Sequence, residues 1–283
     1  TFSTDEGAHP FTISSGWAGD GRLFFLIKGI GDYTARLPEL LRVGDLVTVE
    51  GPYGRFDFAN VGASGKRRQI WVGGGIGITP FVARMKALAV KPDGRAVDLF
   101  YSTAEPDEEF IARLQRDAQA AGVKLHVLVS ARDGRLDVAR ICDTVPGWAE
   151  ADVWFCGPGG FIDAIQQTTA ALQWDPAKVH FERFSAQPVA GTGEDVTFTV
   201  RIASTGQEVT VPADVSITSA LSDEGVVIPV ACEQGVCGTC LTGVLEGDID
   251  HRDQYLTDDE RALNNQMTPC CSRARSGVLV LDL

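Results

Sequence analysis

Apolar and polar positions change rhythm twice along this chain. In residues 1–62 the apolar positions come in short bursts. Residues 11–14, 23–28 and 46–50 predict strands, punctuated by Gly-rich turns. Residues 66–187 alternate between two periods. A continuous apolar run at 69–72 predicts a buried strand, then a glycine run, then a helix from Thr79 to about Val90. Residues 96–101 predict a second strand and 107–121 carry helical periodicity. Residues 125–129 and 153–156 predict further strands, the latter running into Gly157-Pro158-Gly159-Gly160 and another helix. Such alternation predicts a parallel sheet with helices on both faces. Residues 188–194 are a linker by composition. Beyond them, 196–202 and 208–211 predict a hairpin, and a helix near 219–224 leads into a cysteine-rich loop. The boundaries predict three domains, at 1–62, 66–187 and 195–283.

Composition narrows the class. At 283 residues, 44% hydrophobic and 22% charged, the chain is ordinary globular protein, with no apolar run near the eighteen or so residues that span a bilayer. Thr1–Pro10 is polar, without the basic and apolar regions of a signal peptide, which predicts a cytoplasmic protein. The absence of an initiator Met reads as a fragment or a processed form. Charge is uneven: residues 189–283 hold 15 acidic against 5 basic side chains, a net of −10 out of −13. That balance argues against nucleic acid, which needs a basic footprint, and suits an electrostatically steered partner or simple solubility.

The seven cysteines are an odd number, and five of them crowd into residues 232–271. In a long chain without a secretory signal, clustered cysteines point to metal rather than a disulfide framework. Cys232-Glu-Gln-Gly-Val-Cys237-Gly-Thr-Cys240 has the spacing C-x4-C-x2-C, and Cys270 follows at a distance. This spacing predicts a plant-type [2Fe–2S] centre on Cys232, Cys237, Cys240 and Cys270. Zinc, which is usually held by two C-x2-C pairs, is the alternative. Gly235 and Gly238 would let the loop adopt positive φ around a cluster. Cys271 leaves the fourth ligand ambiguous; spacing favours Cys270, with Cys271 as a small buried residue. Through CEQGVCGTC, LEGDIDHRDQYLT, TPCCSRARS and LVLDL the segment resembles the ferredoxin domains of oxygenase reductases, those of vanillate demethylase type and of self-sufficient P450 enzymes. The resemblance implies a β-grasp fold and a one-electron carrier.

Ile70-Trp-Val-Gly73-Gly74-Gly75-Ile-Gly77-Ile-Thr79-Pro80 sets glycines between a strand and a helix, where backbone approaches a pyrophosphate and helix N–H groups face it. A tight turn alone would explain two glycines but hardly four. Cys156-Gly157-Pro158 stands at the end of a later parallel strand, the end where open α/β sheets bind ligands. Together these resemble the nucleotide domain of the ferredoxin–NADP reductase superfamily, whose pattern is GGxGxTP followed by CGP. Phe181-Glu182-Arg183-Phe184 is similar to that family's closing strand. The match implies that Cys156 lies against the nicotinamide. Ser102 sits in the Tyr101–Glu105 stretch after the second strand; Glu105 there would repel a 2′-phosphate and Arg132 would attract one, so NADH leads and NADPH is the alternative.

Nicotinamide gives up two electrons as a hydride, whereas a [2Fe–2S] centre takes one, so a flavin is expected between them. The segments His9-Pro10-Phe11-Thr12, Lys28-Gly-Ile-Gly31-Asp32-Tyr33-Thr34 and Gly51-Pro52-Tyr53-Gly54 resemble the flavin domain of ferric reductases and NADPH oxidases. That resemblance implies a β-barrel holding FAD, with FMN as the alternative, hydroxyls offered by Thr12 and Thr34, and a phosphate turn at Gly31. Six strands close such a barrel and residues 1–62 predict three or four, so the barrel reads as truncated, with relatives carrying a membrane haem region upstream.

The combined expectation is a multidomain fold: a partial β-barrel flavin domain, an α/β nucleotide domain and an α+β β-grasp domain. It would pass electrons from NADH through flavin to the cluster and on to a terminal oxygenase or haem partner. The soluble portion of a membrane flavocytochrome is a second enzyme reading. A bare ferredoxin-type carrier is the non-enzymatic one.

Overall fold

A computed structural model describes residues 2–4, 7–17, 19–56, 58, 67–184 and 195–283. The predicted linker at 188–194 lies outside them. Chain contacts divide the molecule into two compact units: Phe11–Asp45 with Arg55–Phe184, and the described residues of Thr1–Pro10, Leu46–Gly54 and Ser185–Leu283.

The amino-terminal segment departs from the expected barrel. Strands β1 (Phe2–Thr4), β2 (Gly7–His9) and β3 (Thr48–Val49) form a three-stranded antiparallel sheet in the order β2-β1-β3. The predicted strands at 11–14 and 23–28 shrink to a single bridge between Ile13 and Phe25. Serine hydroxyls supplement backbone there: Leu26 N–H donates to Ser14 Oγ at 3.2 Å and Phe24 N–H to Ser15 Oγ at 3.1 Å. Glycine, serine and aspartate crowd residues 14–22, a composition that favours local turns over ladders. The expected turn at Gly31 is instead the start of helix α1 (Gly31–Leu40).

The first unit is dominated by a parallel sheet built from β4 (Gln69–Gly74), β5 (Val97–Thr103), β6 (Lys124–Val129), β7 (Asp152–Gly157) and β8 (Val179–Arg183). Its order is β6-β5-β4-β7-β8. Helices α2 (Thr79–Val90), α3 (Glu108–Ala121), α4 (Ser130–Asp133), α5 (Val138–Thr144) and α6 (Gly159–Ala171) connect it. Every residue of β4, β5 and β7 is buried, as continuous apolar strands between two helical layers must be. Strand alternation sorts them: Trp71, Leu99 and Trp154 join Phe81, Met85 and Leu114 on one face, while Ile70, Val72, Phe100 and Phe155 join Ile141 and Ile162 on the other. Asp107 caps α3 by accepting the Phe110 N–H at 2.9 Å, and Gly122 ends it at φ +68°. At the amino ends of the strands two buried carboxylates are paired. Asp152 takes a two-point contact from Arg67, at 3.1 and 3.0 Å, and Asp98 takes Arg68 and His126, each at 3.1 Å.

The second unit carries a mixed sheet in the order β10-β9-β15-β11-β13. Its strands are β9 (Phe198–Ile202), β10 (Glu208–Val211), β11 (Thr242–Glu246), β13 (Gln266–Met267) and β15 (Val278–Leu281). A short ladder joins β12 (Ile249–Asp250) to β14 (Arg273–Ala274). The expected hairpin is β9–β10, and β15 runs parallel to β9 in the middle of the sheet. Helix α7 (Ile217–Asp223) contributes Ile217 and Leu221 to the core, and α8 (Asp258–Ala262) is a short turn outside it. One sheet carrying one helix is the β-grasp arrangement the cysteine segment implied. Arg273 ties three loops together, donating to the carbonyls of Pro212 and Val215 at 2.7 Å and of Val196 at 3.2 Å.

Candidate functional site

The cysteine loop has no regular secondary structure and turns repeatedly through left-handed backbone: Glu233 at φ +52°, Gly235 at +69° and Gly238 at +72°. Both glycines are also enforced by contact. A β-carbon on Gly235 would stand 2.4 Å from Cys271 Sγ and 2.9 Å from Asp253 Cα, and one on Gly238 would stand 2.2 Å from the Tyr255 ring. Residues 251–261 therefore form the floor on which the loop lies. Gln254 N–H donates to Gly235 O at 2.9 Å. The fully buried Asp253 accepts the N–H groups of Tyr255 and Leu256 at 3.0 and 2.7 Å, and Arg261 donates to its carbonyl. A capping box between Thr257 and Glu260 starts the helix that delivers Arg261.

The four expected ligands stand as two pairs. Cys232 and Cys237 shift each other's titration, and so do Cys240 and Cys270. In the first pair the Cys232 contact pulls Cys237 down to about 5, while Cys232 itself is raised. In the second, Cys240 is lowered by Cys270, which is raised. The Cys237 sulfur also receives Thr239 N–H at 3.5 Å and lies 3.1 Å from the Thr239 hydroxyl, so thiolate is the favoured form there. Cys232 and Cys237 are half-buried, whereas Cys240 and Cys270 are buried. Among the described residues no group of three or more His, Cys, Asp or Glu side chains gathers around a single point. Cysteines grouped two and two fit a centre of two irons, each taking two protein sulfurs, better than one tetrahedral zinc, with Cys271 interacting with Cys270 at the edge of the second group. Cys271 is half-buried rather than buried; its sulfur lies 3.3 Å from Thr268 Oγ1, and the Cys270 thiol lowers it to about 7.

The parallel sheet forms its own site. Strand order reverses at β4, so the chain leaves β4 towards β5 on one side and returns at β7 on the other, opening a crevice at their carboxyl ends. Gly73 and Gly74 end β4; Gly75 starts a 3₁₀ turn at φ +53°; Gly77 lies inside it. A β-carbon on Gly77 would fall 2.2 Å from Cys156 O and 2.5 Å from Gly157 N, so the turn rests directly on the end of β7. Gly74 and Gly157 are both pressed by the Phe161 ring, at 2.9 and 2.8 Å from their would-be β-carbons. Gly75 alone of the four faces open space. Thr79 is buried, its hydroxyl donating to Ile76 O at 3.0 Å, and Pro80 is buried in the first turn of α2. Ser102 is buried at the end of β5, and Pro158 is exposed ahead of α6. The Cys156 side chain is fully buried beside Trp154 and Trp71; burial, then the charge of Glu182, pushes its thiol well up, so it is a neutral packing group rather than a nucleophile.

The expected flavin residues are spread along the amino-terminal segment. His9 ends β2 and is half-buried, Pro10 is exposed, and Phe11 and Thr12 are half-buried beside the Ile13–Phe25 bridge. Lys28 is exposed just ahead of α1. Thr34 spends its hydroxyl on Ile30, accepting its N–H at 2.8 Å and donating to its carbonyl. Tyr33 is half-buried, and the side chains of Gly31 and Asp32 lie outside what is described. Phe56, at the end of the Gly51–Phe56 flavin segment, and Phe58, which carried no sequence signal beyond being apolar, pack on Trp154 at 5.1 and 4.6 Å between ring centres. Phe161, Asp253 and Arg261 were likewise not singled out, although the last two fall inside the quoted LEGDIDHRDQYLT stretch and its continuation.

Residues 200–275 match the family described as a 2Fe-2S iron-sulfur cluster binding domain. The vanillate O-demethylase oxidoreductase of Pseudomonas sp. (strain HR199 / DSM 7063) is 39% identical over 249 residues, covering 87% of this chain and 75% of that protein. The crystal structure of phthalate dioxygenase reductase superposes on all of this chain and 86% of its own, at 29% identity and a TM-score of 0.61. An intact type IV self-sufficient cytochrome P450 monooxygenase superposes on all of this chain with a TM-score of 0.80 and 29% identity, the match spanning 36% of that longer protein.

Proposed function

Since this chain belongs to the [2Fe–2S] oxygenase reductase family that includes vanillate O-demethylase oxidoreductase, we propose that it takes electrons from NADH and delivers them singly to an oxygenase. The observation that carries this reading is the presence in one chain of four cysteines on a glycine-shaped loop and its neighbour, and a glycine-lined crevice at the β4–β7 reversal. When bound, a flavin supplies the change from two-electron to one-electron chemistry and the cluster supplies one-electron storage.

The residues divide the work. Gly75 admits a pyrophosphate to the open side of the turn, and Gly77 and Phe161 hold that turn against β7. Cys156 is assigned to the nicotinamide end of the crevice as an uncharged packing group, fully buried at the end of β7. Flavin is assigned to Phe11, Thr12, Lys28 and the amino end of α1, with His9 and Pro10 completing the matched motif. The support is the exposed Lys28 just ahead of α1, whose charge suits a phosphate. FAD is the proposed form. Cys232, Cys237, Cys240 and Cys270 hold the cluster, and Thr239 donors favour charge on Cys237.

The acceptor is proposed as a terminal oxygenase. A haem domain is the second reading, favoured by the full-length likeness to the self-sufficient P450. No helix among the described residues is long and apolar enough to cross a membrane.

The test is anaerobic: reconstitute the purified chain with iron and sulfide, record its visible spectrum, then add NADH. Cluster absorption that NADH bleaches, together with flavin released on acid precipitation, is the expected result. A chain that binds no cluster after reconstitution overturns the reading; a cluster that NADH leaves oxidised confines the chain to a carrier role.

A further inference from the structure

The carboxyl ends of β5 and β6 lie side by side on the ligand edge of the sheet, Thr103 opposite Val129. Directly after Val129 comes α4, and its last two residues are Arg132 and Asp133. Arg132 is 70% exposed, yet its guanidinium fork is occupied: Nε and Nη2 donate to the two carboxylate oxygens of Asp133, each at 2.9 Å. Asp133 is anchored in turn. It accepts the N–H of Val129, the last residue of β6, at 2.9 Å, and Arg140 donates to its carbonyl at 2.8 Å. The Arg132 fork, then the Val129 amide, hold the Asp133 carboxyl down at about 2, so it is ionised throughout the working range. Nearby on β5's side, Thr103 Oγ1 donates to Glu105 O at 2.9 Å, keeping a second acidic residue at the end of its strand.

A ribose 2′-phosphate is recognised by an unengaged guanidinium fork, which matches its oxygens two at a time. Arg132 is placed and exposed for that contact, but a fixed carboxylate already fills it. We propose that Asp133 sets coenzyme selectivity by holding Arg132 in this two-point pair, so that the adenosine end of the crevice takes a ribose diol and rejects a 2′-phosphate. The inference rests on the dinucleotide reading of the β4–β7 crevice. It deepens that reading by assigning the discrimination to a side chain that need not touch the nucleotide. Removing the carboxylate has two effects of the same sign: it frees the fork and takes one negative charge away from an incoming phosphate.

The experiment is calorimetric titration of the cofactor-loaded chain with 5′-AMP and with 2′,5′-ADP, which report the adenosine end without any turnover. In Asp133→Asn the amide oxygen still accepts the Val129 N–H, so β6 keeps its end. Binding of 2′,5′-ADP is expected to tighten about three- to fivefold, the scale of one charge contact at an exposed site, with 5′-AMP changed less than about twofold. Adding Arg132→Gln to that variant should return 2′,5′-ADP to its original weakness. Arg132→Gln alone should leave both nucleotides unchanged, since the fork is already taken. An unaltered preference in Asp133→Asn overturns the proposal, and so does a loss of 2′,5′-ADP binding in Arg132→Gln alone. A chain that binds neither nucleotide nor NADH fails at the earlier step, sinking the crevice assignment itself.

Discussion

A single methyl group separates two kinds of glycine in the crevice. On Gly77 it would overlap the Cys156 carbonyl, backbone that has no rotamer to move, so the turn or the strand must shift. Gly77→Ala is expected to lose about 1–3 kcal/mol of stability and to weaken NADH binding at least tenfold, read by urea denaturation and by fluorescence titration. On Gly75 it would meet nothing, and only the left-handed backbone objects. Gly75→Ala should cost about 1 kcal/mol and leave the sheet intact. Gly238→Ala combines both penalties, since its β-carbon would enter the Tyr255 ring at positive φ. It is expected to fold but to hold well under a full complement of iron and sulfide, measured by chemical analysis after reconstitution. His180 offers a test in solution. Burial lowers its pKa below 6.5, with Asp152 at 3.9 Å opposing only in part, so the folded chain protonates it later than the unfolded one does. Stability should therefore be full above pH 6.5 and fall as the pH drops below it. His180→Phe keeps the stacking on Trp154, now 4.1 Å between ring centres, and should flatten part of that decline in a series of thermal melts.

Elements differ in how openly the chain announces them. The parallel strands were legible because β4, β5 and β7 are unbroken apolar runs, and α3 because Asp107 and Gly122 bracket a clean helical period. The cysteine loop was legible for a different reason: its proposed ligands are set by spacing, and residues 200–275 match a 2Fe-2S cluster binding domain. The amino-terminal strands were not, because serine hydroxyls at 14 and 15 stand in for part of a ladder, a substitution that periodicity cannot register. Helix α1 was missed since Gly31 and the internal Pro38 are both read locally as breakers. Asp253 was hidden too, being a charged residue in a polar stretch whose complete burial depends on Arg261 arriving from α8. That dependence is testable at the level of the helix. Thr257→Ala removes the cap and should cost about 1 kcal/mol, with a matching loosening of the loop seen as faster cluster loss to a chelator.

At the scale of the molecule, charge and core are distributed differently. Each unit has its own hydrophobic core, around Phe198, Val200 and Leu281 in one and around Trp71, Phe81 and Trp154 in the other. The charge is not shared so evenly: residues 189–283 carry −10 of the total −13. A partner steered by that field should associate more slowly as salt rises, since ions at 0.15 M screen beyond about 8 Å. Stopped-flow rates of electron delivery to the acceptor, taken at low and high ionic strength, should drop at least severalfold; a flat profile would leave the acidic residues with solubility as their sole role.

The position of β15 between β9 and β11 bears on how the protein is born. All four cluster thiols precede Val278–Leu281, the strand that completes the middle of their sheet. On the ribosome, at roughly 5–20 residues per second, the last thiol leaves the peptidyl-transfer centre about a second before that strand does. Until that strand pairs with β9 and β11, the cysteines belong to a sheet that cannot close. The cysteine loop is therefore complete in sequence before the sheet beneath it is complete in structure.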